Sequence, residues 1–347
     1  MASQEEITTL EWFGATTFRL KTRGLTIFLD TWLDRPAALP SYISIADVRE
    51  ADYVFISHAH FDHLPGADRL ALQTGAIIVA NCEAINLLAA AGVPEDQLLR
   101  VSGGERVPLF TKNTIQQAKS GKCPLRPGPP GAPPTPHPSL AAAIAHIWPS
   151  LHCLMPGGPD FHPEEIDSGE VFTGEAHPCL CTVDINRGMK YGLFKLNDSV
   201  PQEKMDAGMT SFLNYIADRQ KNVMSHHDGG QLMVNFQIGE KGILWSSHLG
   251  AYEGIMKSIE PKPEVAIMGI AGRANLNGRP WDGSAAQFVL REVQWLRHPT
   301  TVIWCLHDES CIRPYRINTK AATELVETHS TSRILDLNHS QAYGFRI

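Results

Sequence analysis

One short loop constrains this chain more than any other feature. His58-Ala59-His60-Phe61-Asp62-His63 follows the apolar run Tyr53-Val54-Phe55-Ile56-Ser57 and precedes Leu64-Pro65-Gly66. Three imidazoles and a carboxylate within six positions give the pattern H-x-H-x-D-H. The run before it reads as a buried strand, and Pro-Gly after it reads as a turn leading into a helix. Alternate side chains of an extended segment share a face, so His58 and His60 are expected to point the same way. Asp62 and His63 then belong to the turn and the helix start, where they can face a second ion. Imidazole nitrogen and carboxylate oxygen suit zinc, manganese or iron. The competing reading is a solvated histidine-rich loop, and the strand before and Pro-Gly after weigh against it.

The rest of the chain reads as two β-rich parts, each with helices. Thr8 to Phe13, Thr17 to Lys21 and Leu25 to Asp30 are predicted strands separated by glycine-containing turns. Beyond the loop, helices are predicted over Ala67 to Gln73 and Glu83 to Ala91, with a strand at Ile77 to Ala80. Eight prolines fall within positions 121–138, which reads as a surface excursion of polyproline character. A strand resumes at Ala141 to Trp148, and an irregular insertion covers about 153–227. Its clearest element is an amphipathic helix from about Gln202 to Lys221, with Met205, Met209, Phe212, Leu213 and Ile216 near helical spacing. Packing onto the core accounts for that stripe better than a substrate lid does. Gln231 to Ile238 and Ile243 to Ser247 make a hairpin signal around Gly-Glu-Lys-Gly. Strands at Val265 to Gly269 and Thr301 to Leu306, with helices at Ala285 to His298 and Thr319 to Thr328, lead to closing strands. This order suggests an α/β fold in four layers, an αββα sandwich formed by residues 1–347 as one domain.

Composition narrows the partners. A net charge of -7 argues against a polyanion partner, since nucleic-acid binders carry a basic patch or stripe. No apolar run approaches the roughly 20 residues that cross a bilayer. The acidic start Met1-Ala2-Ser3-Gln4-Glu5-Glu6 does not read as a targeting signal. Seven scattered cysteines fit free thiols of the cytosol, and Cys179-Leu180-Cys181 adds little. The expected partner is a small-molecule substrate, with the chain alone or as a homo-oligomer.

With its signature loop, the chain resembles the metallo-β-lactamase-fold hydrolases. It is most similar to the branch of the ascorbate-6-phosphate lactonase and the N-acylphosphatidylethanolamine phospholipase D. The strand ending Ile27-Phe28-Leu29-Asp30-Thr31-Trp32 fits the family's aspartate before the signature, which implies that Asp30 orients the loop by hydrogen bonds. The third family histidine is matched by His152, after Ile147-Trp148-Pro149-Ser150-Leu151, with His146 the competitor. His307, after Thr301 to Leu306, matches the final one. The resemblance thus implies one ion on His58, His60 and His152 and a second on Asp62, His63 and His307. Where the family has Gly-Asp with a bridging carboxylate, this chain has Ser247-His248. Neutral imidazole offers one lone pair and serves one metal, so three outcomes stay open. His248 is a ligand of the second ion, the site holds one tightly bound ion or two bridged by hydroxide alone, or the site is degenerate.

The implied cofactor is one or two divalent ions, zinc first, manganese or iron next. The implied activity is a hydrolase in which metal-activated water opens a lactam or lactone, with Asp62, His63 and His248 as catalytic groups. No G-x-S-x-G elbow, Walker loop or strand-borne G-x-G-x-x-G offers another chemistry. Trp32, Phe61, Trp148, Trp245, Tyr252 and Trp281 are the candidate pocket aromatics, each with core packing as its ordinary role. Such a pocket would suit a small aromatic cyclic amide or carbamate such as a benzoxazolinone, which fungal members of the broad family open in detoxification. The alternatives are a phosphodiesterase on a phospholipid or nucleotide, and a non-catalytic binding protein. The first would need an anion site, for which Arg313 with Arg316 and Lys262 with Arg273 are thin candidates.

Overall fold

Two seven-stranded sheets carry the structure, a computed structural model that describes residues 7–154 and 185–347 apart from 282, 313 and 314. The first sheet holds β1 (Ile7–Trp12), β2 (Phe18–Thr22), β3 (Leu25–Leu29), β4 (Tyr53–Phe55), β5 (Ile77–Ala80) and β6 (Leu98–Arg100) in chain order. β17 (Tyr343–Arg346) pairs antiparallel with β1 and closes that edge. The second sheet runs β16 (Arg333–Ile334), β15 (Thr301–Cys305), β12 (Pro263–Gly269), β10 (Lys241–Ser246), β9 (Leu232–Ile238), β8 (Ala143–Pro149) and β7 (Arg106–Leu109). A small third sheet joins β11 (Gly250–Ala251), β13 (Asn275–Leu276) and β14 (Arg279–Pro280).

The strands sit where the apolar pattern puts them because both faces of each sheet are covered. Leu10, Leu20, Ile27 and Phe55 of the first sheet meet Phe236, Trp245, Ile267 and Ile303 of the second. Phe55 and Phe236 touch edge to face across that gap, with ring centroids 5.0 Å apart. Burying a side chain of this size stabilises the fold by roughly 1.5–3 kcal/mol. On the outer face of the first sheet, Phe28, Val54 and Ile78 pack under Leu70, Ile85 and Leu88. Those three belong to the helices Ala67–Thr74 and Cys82–Ala90. On the outer face of the second, Leu244, Met268 and Trp304 pack under Phe288, Val293 and Val326. These come from the helices Ala285–Trp295 and Lys320–His329. The layers are helix, sheet, sheet, helix.

Two expectations need adjustment. The insertion's helix covers Ala207–Ala217 rather than the whole stretch to Lys221; Asp206 caps its start by accepting from Met209 N. The proline-rich stretch is exposed for most of its length and is pinched by one bridge, Leu125 to Pro136. Cys179, Cys181 and Arg313 lie outside the described residues. The remaining five cysteines, Cys82, Cys123, Cys153, Cys305 and Cys311, are unpaired. Among the described residues no helix is long and apolar enough to cross a membrane.

The rim where β3, β4, β8, β10 and β15 end carries the polar loops. Two non-glycine residues there hold left-handed backbone, Asp30 at φ 48° and Leu306 at φ 63°. Such conformations cost of order 1–3 kcal/mol and persist only where the surroundings over-determine them.

Candidate metal centre

β4 ends at Phe55, so His58 and His60 are loop residues and strand alternation is not what unites them. The loop itself does so. Ala59, between them, donates its N–H to the Asp228 carbonyl at 3.0 Å and accepts from Ser225 N–H at 2.8 Å. Asp62 and His63 lie in a turn, and the helix begins only at Ala67 after Gly66 at φ 94°. A side chain at Gly66 would also strike Ile45, 2.4 Å away.

Asp30 ties the loop together from behind. Its Oδ1 accepts from Ser57 N–H at 2.8 Å, and its Oδ2 accepts from Thr16 Oγ1 and His63 Nδ1, both at 2.6 Å. A carboxylate only accepts, so His63 carries its proton on Nδ1 and turns Nε2 inward. Ser57 Oγ donates to Asp30 and lies 3.1 Å from His58 Nδ1, so that nitrogen is the donor and His58 Nε2 is free. On the far side, His152 Nδ1 donates to the Cys153 carbonyl at 2.7 Å, which frees its Nε2. Second-sphere bonds of this kind fix imidazole tautomers for metal binding.

Three ring nitrogens then converge. His60 Nδ1 is 3.0 Å from His58 Nε2 and 3.2 Å from His152 Nε2. A tetrahedral ion with metal–nitrogen bonds of about 2.0–2.1 Å holds its ligand nitrogens about 3.3 Å apart, so the spacing fits. His248 completes the group: its ring lies 3.9 Å from that of His152, 4.9 Å from His58 and 5.1 Å from His63. Ligand atoms of His58, His152 and His248 lie within 4.8 Å of one another. Asp62 Oδ1 stands 3.4 Å from His63 Nε2.

The turns of the second sheet make this closeness feasible. A Cβ on Gly250 would fall 2.3 Å from the Leu151 carbonyl, so only glycine lets the His152 segment lie against the His248 turn. Ser150 Oγ donates to the Gly250 carbonyl, and Asn275 Nδ2 donates to the His152 carbonyl.

Chemically the group is poised for a cation. His60 Nε2, His63 Nε2 and both nitrogens of His248 are buried without a hydrogen-bond partner. Unpaired buried polar atoms are costly, and a divalent ion can take the lone pairs of His63 Nε2 and of one His248 nitrogen, while His60, which turns Nδ1 to the cluster, carries its proton on Nε2. Burial, then the neighbouring imidazoles, pushes His58, His60 and His248 well below the ordinary histidine range. They stay neutral, as ligands must be. Burial would lower His63 too, but the charges of Asp62 and Asp30 outweigh it and raise it to about 10. Burial likewise works against the Asp62 carboxylate, yet His63 holds it below its usual value.

His146 stays outside, its ring 4.0 Å from Trp148 on the outer face of β8. His307 is not brought to the cluster, contrary to the expectation. The chain turns at Leu306, whose N–H donates to the Ala15 carbonyl. His307 then stacks on Trp12 with centroids 5.0 Å apart, in a cavity of about 610 Å³ shared with Asp308, Arg316, Asp336 and His339.

The candidate aromatics divide. Trp32 and Phe61 lie 6.3 Å apart beside the loop, joined by Phe212 and Tyr215 of the helix Ala207–Ala217. Tyr215 donates to the Phe61 carbonyl at 3.3 Å, so that helix walls the site. Trp245 instead points into the core between the sheets, alternating with Leu244 on the outer face. Trp281 packs on Phe288 under the helices. Trp148 alternates outward from Ile147 and lines a separate cavity of about 580 Å³ with Tyr252. Lys262 and Arg273 flank opposite ends of β12, a seven-residue strand roughly 20 Å long, and form no common site.

Sequence reasoning passed over Ser57, Thr16, Tyr215 and the run Ser225-His226-His227-Asp228-Gly229-Gly230. The last carried a visible signal: histidines, an aspartate and glycines placed just before a strand.

Comparison with known proteins bears on the fold and on the N-terminal part of the chain. Residues 9–97 match the model of a Beta-lactamase superfamily domain. Across 91 residues the chain is 38% identical to a UPF0173 metal-dependent hydrolase of Anaeromyxobacter sp. (strain K), covering 26% of this chain and 33% of that protein. The chain therefore spans about a third of the length of that relative. In structure it is similar to Igni18, a metallo hydrolase from Ignicoccus hospitalis, with TM-score 0.56, 15% identity and 98% of both chains covered. It is also similar to CmlA, a diiron beta-hydroxylase from Streptomyces venezuelae, with TM-score 0.51 and 12% identity over 98% of this chain and 54% of that one. The chain has the metallo-β-lactamase fold. Its N-terminal part has metal-dependent hydrolases as its homologues.

Proposed function

We propose that this chain is a metal-dependent hydrolase that opens a cyclic amide or ester of a small molecule. The observation that carries the reading is the convergence of His58, His60, His63, His152 and His248 with Asp62, several of their nitrogens buried and unpartnered. His58, His60 and His152 would hold one ion; Asp62, His63 and His248 would hold a second. A divalent ion so held lowers the pKa of bound water toward about 7 and polarises a carbonyl. The residues do the rest. Asp62, partly exposed and kept ionised by His63, accepts a proton from the attacking water and returns it to the leaving nitrogen or oxygen. Asp30 keeps the His63 Nδ1 proton in place, so that Nε2 remains the ligand.

The wall of Trp32, Phe61, Phe212 and Tyr215 favours a flat, largely apolar substrate, a lactam or lactone with an aromatic ring such as a benzoxazolinone. The ascorbate-6-phosphate lactonase branch supplies the same reaction class by resemblance. Zinc suits a nitrogen-rich donor set, and the diiron enzyme of like fold makes iron the metal to test beside it.

Metal analysis of purified protein with stepwise chelation, followed by a hydrolysis screen over lactones, lactams and phosphodiesters, tests the reading. Because His248 brings a single lone pair, which serves one ion, and no shared carboxylate, the expected result is two separable phases of metal loss, or a single equivalent. Ring opening of a lactam or lactone is expected with it. Less than one equivalent of metal, or turnover of phosphodiesters alone, overturns the proposal.

A further inference from the structure

We infer that Asp308, which touches none of the candidate ligands, is a positioning residue of the metal centre: it clamps the turn that presents the Thr16 hydroxyl to Asp30 and His63. The inference rests on the hydrolase reading above, since it presumes that His63 holds a divalent ion.

The turn joins β1 to β2. Phe13 N–H donates to the Thr17 carbonyl, and Thr17 N–H donates to the Gly14 carbonyl, both at 2.9 Å. Within the turn Ala15 holds left-handed backbone at φ 46°. A residue with a side chain keeps such a conformation only where its surroundings over-determine it. Here both polar groups of Ala15 are taken. Asp308 Oδ1 accepts from its N–H at 2.8 Å, and its carbonyl accepts from Trp12 Nε1 and from Leu306 N–H, each at 3.0 Å. Asp308 is the one side chain from the far end of β15 that grips this peptide. It is itself fixed, since its Oδ2 lies 3.1 Å from Arg35 Nη2 and both side chains are buried. A Cβ on Gly14 would fall 2.5 Å from Arg35 Nη1 and 2.8 Å from Asp308 Oδ2, so only glycine lets the turn lie against the pair.

What the turn presents is one buried hydroxyl. Thr16 Oγ1 donates to Asp30 Oδ2 at 2.6 Å and stands 2.9 Å from His63 Nδ1. A hydroxyl has one proton, and Asp30 takes it, so toward His63 this oxygen can only accept. The proton on His63 Nδ1 therefore has two close acceptors, Asp30 Oδ2 and Thr16 Oγ1, with Ser57 Oγ farther off at 3.2 Å. Both favour the tautomer and ring orientation that leave Nε2 for an ion. Without the clamp, Ala15 relaxes toward the negative φ that a side chain prefers, and the hydroxyl leaves the pair.

The test is a titration of metal-free protein with Zn²⁺ against a chromophoric chelator. It compares the wild type with Thr16→Val, Thr16→Ser, Asp308→Ala and the double variant of Thr16→Val with Asp308→Ala. The expected result is a Zn²⁺ affinity about 10–100-fold weaker in Thr16→Val, the range seen when an outer partner of a ligand is lost. Thr16→Ser, which restores the hydroxyl, should bind close to the wild type. Asp308→Ala should lose affinity to a similar degree. The double variant should be no weaker than its weaker parent, because both changes break the same hold on His63. A carboxylate that only stabilised the fold would add its loss to that of Thr16→Val. Should Asp308→Ala fail to fold because Arg35 is left buried without its carboxylate, Arg35→Met with Asp308→Ala removes the pair together and takes its place. Wild-type affinity in Thr16→Val or in the folded Asp308 variant, or losses that add in the double variant, overturns the inference. Wild-type protein that binds no Zn²⁺ overturns the hydrolase reading, and this inference with it.

Discussion

The rim of the sandwich carries two groups of histidines built in opposite ways. In the first, His58, His60, His63, His152 and His248 aim ring nitrogens at one another, and hydrogen bonds donated to Ser57, Asp30 and the Cys153 carbonyl fix which nitrogen stays free in His58, His63 and His152. In the second, rings meet face to face. Tyr42 stacks on His339 at 3.9 Å, His339 on Trp12 at 4.1 Å, and Trp12 on His307 at 5.0 Å. There the polar atoms gather around Asp308, which accepts from Ala15 N–H and pairs with Arg35. The two groups are joined by the loop Gly14–Thr16, whose Ala15 serves one and whose Thr16 serves the other. Histidine type alone does not make a ligand. Which atom the fold leaves unpaired decides it.

The comparison breaks most sharply if a member of the first group proves dispensable. His60→Ala should remove bound metal and cut hydrolysis by more than the about 10–100-fold that follows loss of an outer partner. Full metal content with wild-type turnover in that variant would refute the ligand assignment. Asp30→Asn, one bond further out, should weaken metal binding by about 10–100-fold while Nδ1 of His63 loses its anionic acceptor. A chelator titration with no shift would mean that Ser57 and Thr16 suffice to orient the ring.

Acid and base should act on the two sides of the same cluster differently. His58, His60 and His248 sit below the ordinary value in the folded chain. Their contribution to the metal-free protein is present above about pH 6.5 and lost as pH falls below it. His63 is raised to about 10, so its contribution is full below about pH 6.5 and lost as pH rises through about 10. Thermal unfolding of metal-free protein across pH should therefore fall off on both sides. Metal loading between those limits should release a proton from His63, which calorimetry in buffers of different ionisation enthalpy would detect. Loading without proton release would show that His63 is not a ligand.

His307→Ala should leave metal content unchanged and cost only the stacking on Trp12, about 0.5–1.5 kcal/mol by denaturant titration. Loss of metal there would erase the distinction between the two groups and restore His307 to the centre. The smallest effect is expected far from both. Removing most of residues 121–138 should leave stability and turnover nearly unchanged, because an exposed loop buries little and closure entropy varies only logarithmically with length. Insoluble protein would show instead that the excursion packs on the core or on another subunit.

Much of this was legible beforehand, and the exceptions have physical causes. The apolar runs ending at Leu29, Phe55 and Cys305 read as strands because they are buried on both faces, which removes the ambiguity of alternation. The stripe Met209, Phe212, Leu213 and Ile216 reads as a helix and lies in one, and that helix ends at Ala217, where apolar residues give way to Asp218-Arg219-Gln220-Lys221. Trp148 and Trp245 lie near the loops along the chain, but a strand sends successive side chains to opposite faces, and those faces here are different cores, while Trp281 packs on Phe288.

By itself the sequence determined the ligand loop and the layers, since donor types at fixed spacing and apolar periodicity are local properties. His58, His60, Asp62 and His63 are bound to be neighbours within any turn that short. Only the tertiary structure decided among the distant residues. His152 enters the cluster because Gly250 lets its segment approach where a Cβ would collide, and His146 does not because it faces outward from β8 beside Trp148. His248 enters and His307 does not, because the backbone turns at Leu306 and lays the latter on Trp12. Asp228 lies against the loop because Ala59 offers both peptide groups to residues 225–228. Each of these is a matter of where two segments far apart in the chain can touch, and steric fit between backbones settles that, whatever the residue types are.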